Sequence, residues 1–165
     1  MAKQSGRGPK KDHLPRIQRP KHHDTYVRRA KPAGAVECDE CGVVFHGGKW
    51  RWGEAPAEDV RAGLCPACQR IRDHYPAGTI RLHASLLGHR DEIERMIANV
   101  EGAERAEHPL ERVMGVELDD DTLVVSTTGL HIARRIAASL RRRFHLRGTT
   151  RYPEEQHRMV VDLGE

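Results

Sequence analysis

Cys38-Asp-Glu-Cys41 and Cys65-Pro-Ala-Cys68 are the two stretches that decide the fold of this chain. In each stretch two residues separate a pair of cysteines, so both sulfurs of a tight turn can point at one ion. Two such turns supply a complete tetrahedral thiolate shell, which leaves no open position for water or substrate and therefore serves folding rather than catalysis. The pattern predicts a zinc ribbon whose Zn²⁺ ligands are Cys38, Cys41, Cys65 and Cys68.

The segment 42–64 between the pairs is longer than the insert of about 15–20 residues in the usual short template. Segments 43–46 and 49–52 are two short predicted strands that flank Gly47-Gly48, which predicts a hairpin with a two-residue turn. Alternation along the strands then gives one face above the metal and one basic, solvated face. The expected buried face holds Val43, Phe45, Trp50 and Trp52, and the expected solvated face holds Val44, His46, Lys49 and Arg51.

Other uses of four cysteines remain open at this stage. A redox dithiol normally has one Cys-x-x-Cys opening a helix in a thioredoxin-like pattern, and this chain has two pairs. Disulfides would need an oxidising compartment, whereas segment 1–31 has no apolar run of signal-peptide type. Spacing alone does not separate zinc from iron, and His46 or His74 could replace one cysteine as a ligand.

Charge is distributed unevenly along the chain. The 165 residues carry a formal net charge of +4, with 32% charged and only 4% aromatic residues. Segment 1–31 concentrates the positive charge, since ten basic side chains there face only Asp12 and Asp24. Its prolines and glycines, and its few apolar residues, predict a disordered arm over 1–34. A small protein with its positive charge in one arm has the electrostatic pattern of a polyanion-binding protein.

Basic residues in three places are therefore the candidate nucleic-acid contacts. The candidates in the arm are Lys10, Lys11, Arg16, Arg19, Lys21, Arg28 and Arg29. Those in the predicted ribbon are Lys49 and Arg51, and those on a predicted helix near the end of the chain are Arg134, Arg135, Arg141 and Arg142.

A Pro/Gly hinge at 76–78 predicts the end of the ribbon and the start of a second unit. Apolar periodicity predicts one helix from Ser85 to about Glu107, with Glu92, Glu94, Glu101 and Glu104 facing water, and another from Gly129 to about His145. Alternating strands are expected at 79–84, 112–118 and 123–128, followed by a closing hairpin over 148–163. Three adjacent aspartates, 119–121, are interpreted as a solvated hairpin tip rather than a calcium loop.

The order of these elements predicts an α+β protein whose second unit is a ferredoxin-like split βαβ sheet with helices on one face. The expected domains are a basic disordered arm at 1–34, a zinc ribbon at 35–77 and a ferredoxin-like α+β domain at 78–165. This fold serves many unrelated functions and therefore does not by itself indicate one.

Three stretches of the chain also carry a resemblance. They begin at Cys38 (Cys-Asp-Glu-Cys-Gly-Val-Val-Phe-His-Gly-Gly-Lys-Trp-Arg-Trp), at Leu64 (Leu-Cys-Pro-Ala-Cys-Gln-Arg-Ile) and at Gly129 (Gly-Leu-His-Ile-Ala-Arg-Arg-Ile-Ala). Over roughly residues 36–145 the chain resembles small bacterial proteins similar to the amino-terminal part of the large-ribosomal-subunit export adaptor, a ribosome-associated family of the nonsense-mediated-decay type. The resemblance implies association with the ribosome or with RNA.

Taken together, these patterns predict a non-enzymatic, zinc-binding, cytoplasmic factor that binds structured RNA or the ribosome. The alternative is a zinc-ribbon module for protein interaction or for DNA-linked stress regulation. An enzyme is the third class, but the chain has no phosphate-binding Gly loop, nucleophile elbow or metalloprotease motif. No stretch has the roughly 20 apolar residues of a membrane span, and no small-molecule substrate is indicated.

Overall fold

The computed structural model describes residues 24–26, 32–56, 59–153 and 157–164. The basic arm lies almost entirely outside these residues, as do its candidate contacts Lys10, Lys11, Arg16, Arg19, Lys21, Arg28 and Arg29. Within the described part the chain forms a mixed α+β fold with two sheets and three α-helices.

The first sheet carries the cysteines and has four strands in the order β3-β2-β1-β4. Strands β1 and β2 pair antiparallel, and β1 and β4 pair in parallel. Neither β1 nor β4 was predicted from the sequence, where only the hairpin was evident. The bounds are β1 Ala35–Cys38, β2 Val44–His46, β3 Lys49–Arg51 and β4 Val60–Gly63, followed by helix α1 at Pro66–Arg72.

The predicted hairpin and its register are confirmed. Phe45 pairs with Trp50 and His46 with Lys49 across the turn, where Gly47 and Gly48 have φ of 59° and 87°. Positive φ at both central residues is the geometry that glycine allows and that matches the twist of the flanking strands.

The predicted division of the hairpin into a buried and a solvated face is only partly correct. Val44, expected on the solvated face, is buried on β2, which is an interior strand of the sheet and not part of an isolated hairpin. Trp52, expected to be buried, is 37% exposed and lies beyond the end of β3. Val43 and Trp50 do pack against the cysteines as predicted.

The second sheet has five strands in the order β6-β7-β5-β9-β8. Its elements begin at the predicted hinge. They follow one another along the chain in the predicted order, including the hairpin tip at Asp119–Thr122 and the closing β8–β9 hairpin. The bounds are β5 Gly78–Leu82, a 3₁₀ helix Ala84–His89, α2 Arg90–Glu107, β6 Val113–Asp119, β7 Thr122–Thr127, α3 Leu130–Phe144, β8 Arg147–Arg151 and β9 Met159–Gly164.

This sheet departs from the predicted ferredoxin-like pattern at one point. The last strand, β9, lies between β5 and β8 and runs parallel to β5. Its inward residues Met159, Val161 and Leu163 are fully buried, whereas every residue of β8 is exposed. The apolar strand therefore occupies the interior position, and the polar strand takes the edge, where unpaired backbone groups meet water.

Helices α2 and α3 pack against each other, and α3 contacts β5, β7 and β9. The predicted apolar stripes form the core, with Ile93 and Ile97 from α2 and Ile132, Ile136 and Leu140 from α3 all buried. This core fixes the end of α2 next to the start of α3.

The prediction that Glu104 faces water is wrong. It is 7% exposed, because α3 lies beside the last turn of α2 and contributes His131 and Arg135 to the Glu104 carboxylate. Glu101 is also engaged, since its Oε1 accepts a hydrogen bond from the Val113 N–H at 2.9 Å. No helix in the described part of the chain is both long and apolar enough to cross a bilayer.

Candidate metal centre

The two cysteine pairs converge on one point between the first sheet and α1. The four Sγ atoms lie within 4.8 Å of one another, and those of Cys41 and Cys65 are 3.8 Å apart. A tetrahedron with Zn–S bonds of about 2.3 Å has edges of about 3.8 Å. The four thiols are free, so the arrangement fits a bound metal such as zinc. Neither His46 nor His74 belongs to this ligand group.

Local structure explains why the sulfurs point inward. Cys38 ends β1, and the chain turns back so that the Gly42 N–H donates to the Cys38 carbonyl at 2.8 Å. Cys65 is the N-cap of α1, and its sulfur accepts from the Cys68 N–H at 3.4 Å, with Pro66 at the first helical position. Both features favour helix initiation, since the cap satisfies a free N–H and proline presets the backbone angle.

The second Cys-x-x-Cys pair thus opens a helix, a feature shared with redox dithiols. Here the other pair faces it, and the four sulfurs together form one ligand group. The parallel pairing of β1 with β4 brings the pairs together, because it sets Cys38 opposite Gly63, two residues before Cys65.

The pKa values of the thiols reflect the burial of the cluster and the hydrogen bonds within it. Burial raises the pKa of Cys65 to about 11 and raises that of Cys68 further. For Cys38, burial acts in the same direction, but N–H bonds from Cys65, Glu40 and Cys41 outweigh it and lower the pKa to about 7. Several buried thiolates at this spacing repel one another, so a cation is needed to hold them all ionised.

Arg112, from the loop before β6, supplies a positive charge to this cluster. It is 5% exposed, and its Nη atoms lie 3.0 Å from the Cys41 Sγ and 3.3 Å from the Cys68 Sγ. Its Nε donates to the Pro109 carbonyl at 2.8 Å. A buried guanidinium needs an anionic partner, and no carboxylate of the described residues forms an ion pair with Arg112. The sulfurs are therefore its counter-ions, as expected of metal-bound thiolates.

Sequence reasoning did not identify Arg112, because its contact with the cysteines depends on how the second sheet lies against the first. A second contact between the sheets involves Trp52. Its Nε1–H donates to the Arg105 carbonyl at 2.7 Å, and the guanidinium of Arg105 lies 5.5 Å from its ring centroid. Leu110 also packs against the cysteine cluster. The loop before β6 thus covers the metal centre, whose four ligands all come from segment 38–68.

The other candidate site residues are not gathered in one place. Lys49 and Arg51 lie on the edge strand of the first sheet, where Arg51 donates to the His46 carbonyl at 2.9 Å. On α3, Arg135 pairs with Glu104, whereas Arg134 contacts the Tyr152 hydroxyl and ring. Arg141 donates to the Gly148 carbonyl, and Arg142 is exposed. Arg134, Arg141 and Arg142 are therefore not neutralised by any carboxylate that the structure describes.

The start of α3 is held by a carboxylate from outside the helix. Glu111 Oε2 accepts from the Ile132 N–H at 2.9 Å, which satisfies one of the free N–H groups at the helix N-terminus. Burial raises the pKa of Glu111, while the Ile132 N–H and the adjacent His131 and His108 act in the opposite direction. A side chain at Gly129 would overlap this carboxylate.

Residues 24–26 of the arm lie against α1. Tyr26 donates its hydroxyl to Asp73 at 2.9 Å and stacks on Tyr75 with ring centroids 5.8 Å apart. The Arg70 guanidinium lies 4.2 Å from the centre of the Tyr26 ring and pairs with Asp24. Tyr26 thus fixes the chain beside the helix that carries Cys68.

Comparison with protein-family models, curated proteins and solved structures finds no match to this chain. The function must therefore be argued from the chemistry of the chain itself.

Proposed function

We propose that this protein is a non-enzymatic zinc-ribbon factor that binds structured RNA, with the ribosome as the setting that its sequence resemblance suggests. The zinc site stabilises the ribbon, and the basic surfaces supply affinity for phosphates. In this proposal the five-stranded sheet is a ferredoxin-like plait extended at its edge by β8, and the protein acts in the cytoplasm.

One observation carries the proposal. Segment 129–151 contains seven arginines and no acidic residue. It forms α3 and the adjoining edge strand β8. Four of the seven have no carboxylate partner among the described residues, namely Arg134, Arg141, Arg142 and Arg147. Arginine contacts phosphate with a planar fork of donors and is favoured for RNA recognition.

Arginines without a carboxylate partner are the ones free to bind an external anion. Those that already have one, such as Arg135 with Glu104 and Arg143 with Glu92, are engaged with α2. The proposed contact surface is therefore the side of α3 with Arg134, Arg141 and Arg142, continued by Arg147, rather than the whole circumference of the helix.

A binding assay with structured RNA tests this surface directly. The triple variant Arg134→Ala/Arg141→Ala/Arg142→Ala is compared with Arg72→Ala/Arg90→Ala/Arg95→Ala, which removes the same charge elsewhere. We expect the first variant to lose affinity and to reduce the slope of log affinity against log salt by about 2, since each phosphate contact contributes about 0.7–0.9. Equal loss in both variants would mean that total charge, and not this surface, determines binding.

Two further measurements separate the proposal from its alternative. In gradient sedimentation of a lysate, we expect the protein to migrate with ribosomal particles at low salt. Its presence only in ribosome-free fractions would reject a ribosomal role. In competition assays, displacement by duplex DNA but not by structured RNA would favour a DNA-linked regulator instead.

A further inference from the structure

A second group of metal-type ligands lies where the end of α2 meets the start of α3, away from the four cysteines. Glu104 in the last turn of α2 and His108 at its C-cap are four residues apart and so lie on one side of the helix. His131 in the first turn of α3 faces them. One ligand atom from each of the three lies within 4.8 Å of the other two.

The spacing of these atoms suits a transition-metal ion. Glu104 Oε2 and His131 Nε2 are 3.0 Å apart, and the rings of His108 and His131 are nearly perpendicular with centroids 5.8 Å apart. With ligand bonds of about 2.1 Å, tetrahedral zinc holds its ligand atoms about 3.4 Å apart. The Glu104–His131 pair is already close to that distance, and a ring nitrogen of His108 belongs to the same group of ligand atoms within 4.8 Å.

The surroundings hold the carboxylate in place and leave the histidines accessible. The Glu104 side chain is 8% exposed, and its other oxygen accepts from the Arg135 Nε at 2.9 Å. This contact resembles the outer hydrogen bonds that orient metal-binding carboxylates. The His131 side chain is 54% exposed and His108 is also exposed, so an ion can enter from solvent. Glu111 lies near enough to interact electrostatically with all three.

We propose that Glu104, His108 and His131 bind a second divalent transition-metal ion, such as Zn²⁺, in an exchangeable site. Two imidazoles and one carboxylate suit zinc, iron, cobalt and nickel rather than the soft ions that prefer thiolates. Three protein ligands leave at least one coordination position for water. The site therefore differs from the four-cysteine centre in ligand chemistry, in accessibility and in the ease with which the ion is lost.

Cobalt distinguishes the two sites by spectroscopy. The full-length protein is purified with zinc, desalted and titrated with Co²⁺, while zinc per chain is measured by elemental analysis. We expect one zinc to remain and one Co²⁺ to bind with weak visible bands and no sulfur-to-cobalt charge transfer. If cobalt binds only with sulfur charge transfer, it has replaced the zinc, and the second site is rejected.

Two substitutions and one control assign the binding to these residues. His108→Ala and His131→Ala change exposed side chains and should each abolish the cobalt equivalent while leaving zinc and the far-UV circular dichroism unchanged. The control variant, His22→Ala/His23→Ala, changes two consecutive histidines of the arm and should still bind one equivalent of cobalt. A cobalt equivalent that persists in both single variants, or no equivalent in the wild type, would overturn the proposal. The result does not depend on RNA binding.

Discussion

The guanidinium of Arg112, in the loop before β6 of the second sheet, lies 3.0 Å from the sulfur of Cys41, in the turn between β1 and β2 of the first. This contact makes the metal centre a joint between the sheets rather than a property of the ribbon alone. Arg112 also contacts Cys68 and Cys65, so one side chain interacts with three of the four sulfurs.

Replacing Arg112 should weaken metal binding. Arg112→Ala removes the cation that faces the anionic thiolates, and loss of such outer-shell partners typically lowers metal affinity about 10–100-fold. The measurement is zinc transfer to a chromogenic chelator at fixed pH. Arg72→Ala is the matched control, because Arg72 pairs with Glu40 on the surface and should leave the transfer unchanged. Identical transfer from the Arg112 variant and the wild type would mean that the contact has no effect on the metal.

Replacing a ligand should disturb the ribbon and the loop that covers it. Cys41→Ser or Cys65→Ser removes one thiolate from a centre that contributes on the order of 10 kcal/mol to folding. The ribbon should lose its protection from hydrogen exchange, and the contacts of Arg112 and Leu110 with the cluster predict that segment 108–112 loses its protection too. Strands β5 and β9 should remain protected, and exchange confined to residues 35–72 would contradict this prediction.

Trp52→Phe should destabilise the protein modestly. The substitution keeps an aromatic ring but removes the indole N–H that donates to the Arg105 carbonyl. A hydrogen bond of this kind contributes about 0.5–1.5 kcal/mol, which urea denaturation can detect. Trp50 remains as the fluorescent reporter. Trp50→Phe provides the comparison, since Trp50 packs on the cysteine cluster and contacts Phe45. A Trp52→Phe variant as stable as the wild type would show that the hydrogen bond contributes nothing.

Tyr26→Ala should release residues 24–26 from their contacts with Arg70, Asp73 and Tyr75. The variant loses the hydroxyl bond to Asp73, the stacking on Tyr75 and the contact with Arg70. We expect limited proteolysis to cut around residues 24–32 faster, because local protection follows the contacts that hold a segment. Tyr152→Ala is a suitable control, since Tyr152 follows β8 and contacts Arg134 of α3, and it should not change cleavage near Tyr26. Unchanged cleavage of the Tyr26 variant would show that other contacts fix this segment.

Much of the site was predictable, because its signals are local in sequence. The spacing within each cysteine pair and the Gly47-Gly48 turn gave the ligands and the hairpin register. Strands β1 and β4, which were not predicted, lack such local signals. Each has four residues and no clear alternation, and their parallel pairing joins segments far apart in the chain. Parallel pairing has no local turn to signal it.

The remaining differences also come from tertiary contacts. Glu104 looks like a surface residue on a helical wheel, and only the position of α3 shows that its carboxylate is covered. Likewise, the order of β8 and β9 depends on which strand buries more apolar surface. Arg112 has no sequence signature at all as a partner of the cysteines.

The position of β9 has a consequence for synthesis on the ribosome. This strand comes last in the fold but pairs with β5, the first strand of its sheet. Until residues 159–164 emerge, one edge of β5 is open and can pair with other chains. The cysteine-bearing sheet and α1 are complete once Arg72 has emerged. A nascent chain therefore carries all four metal ligands once Arg72 has emerged. The second sheet is complete only after the final strand has emerged.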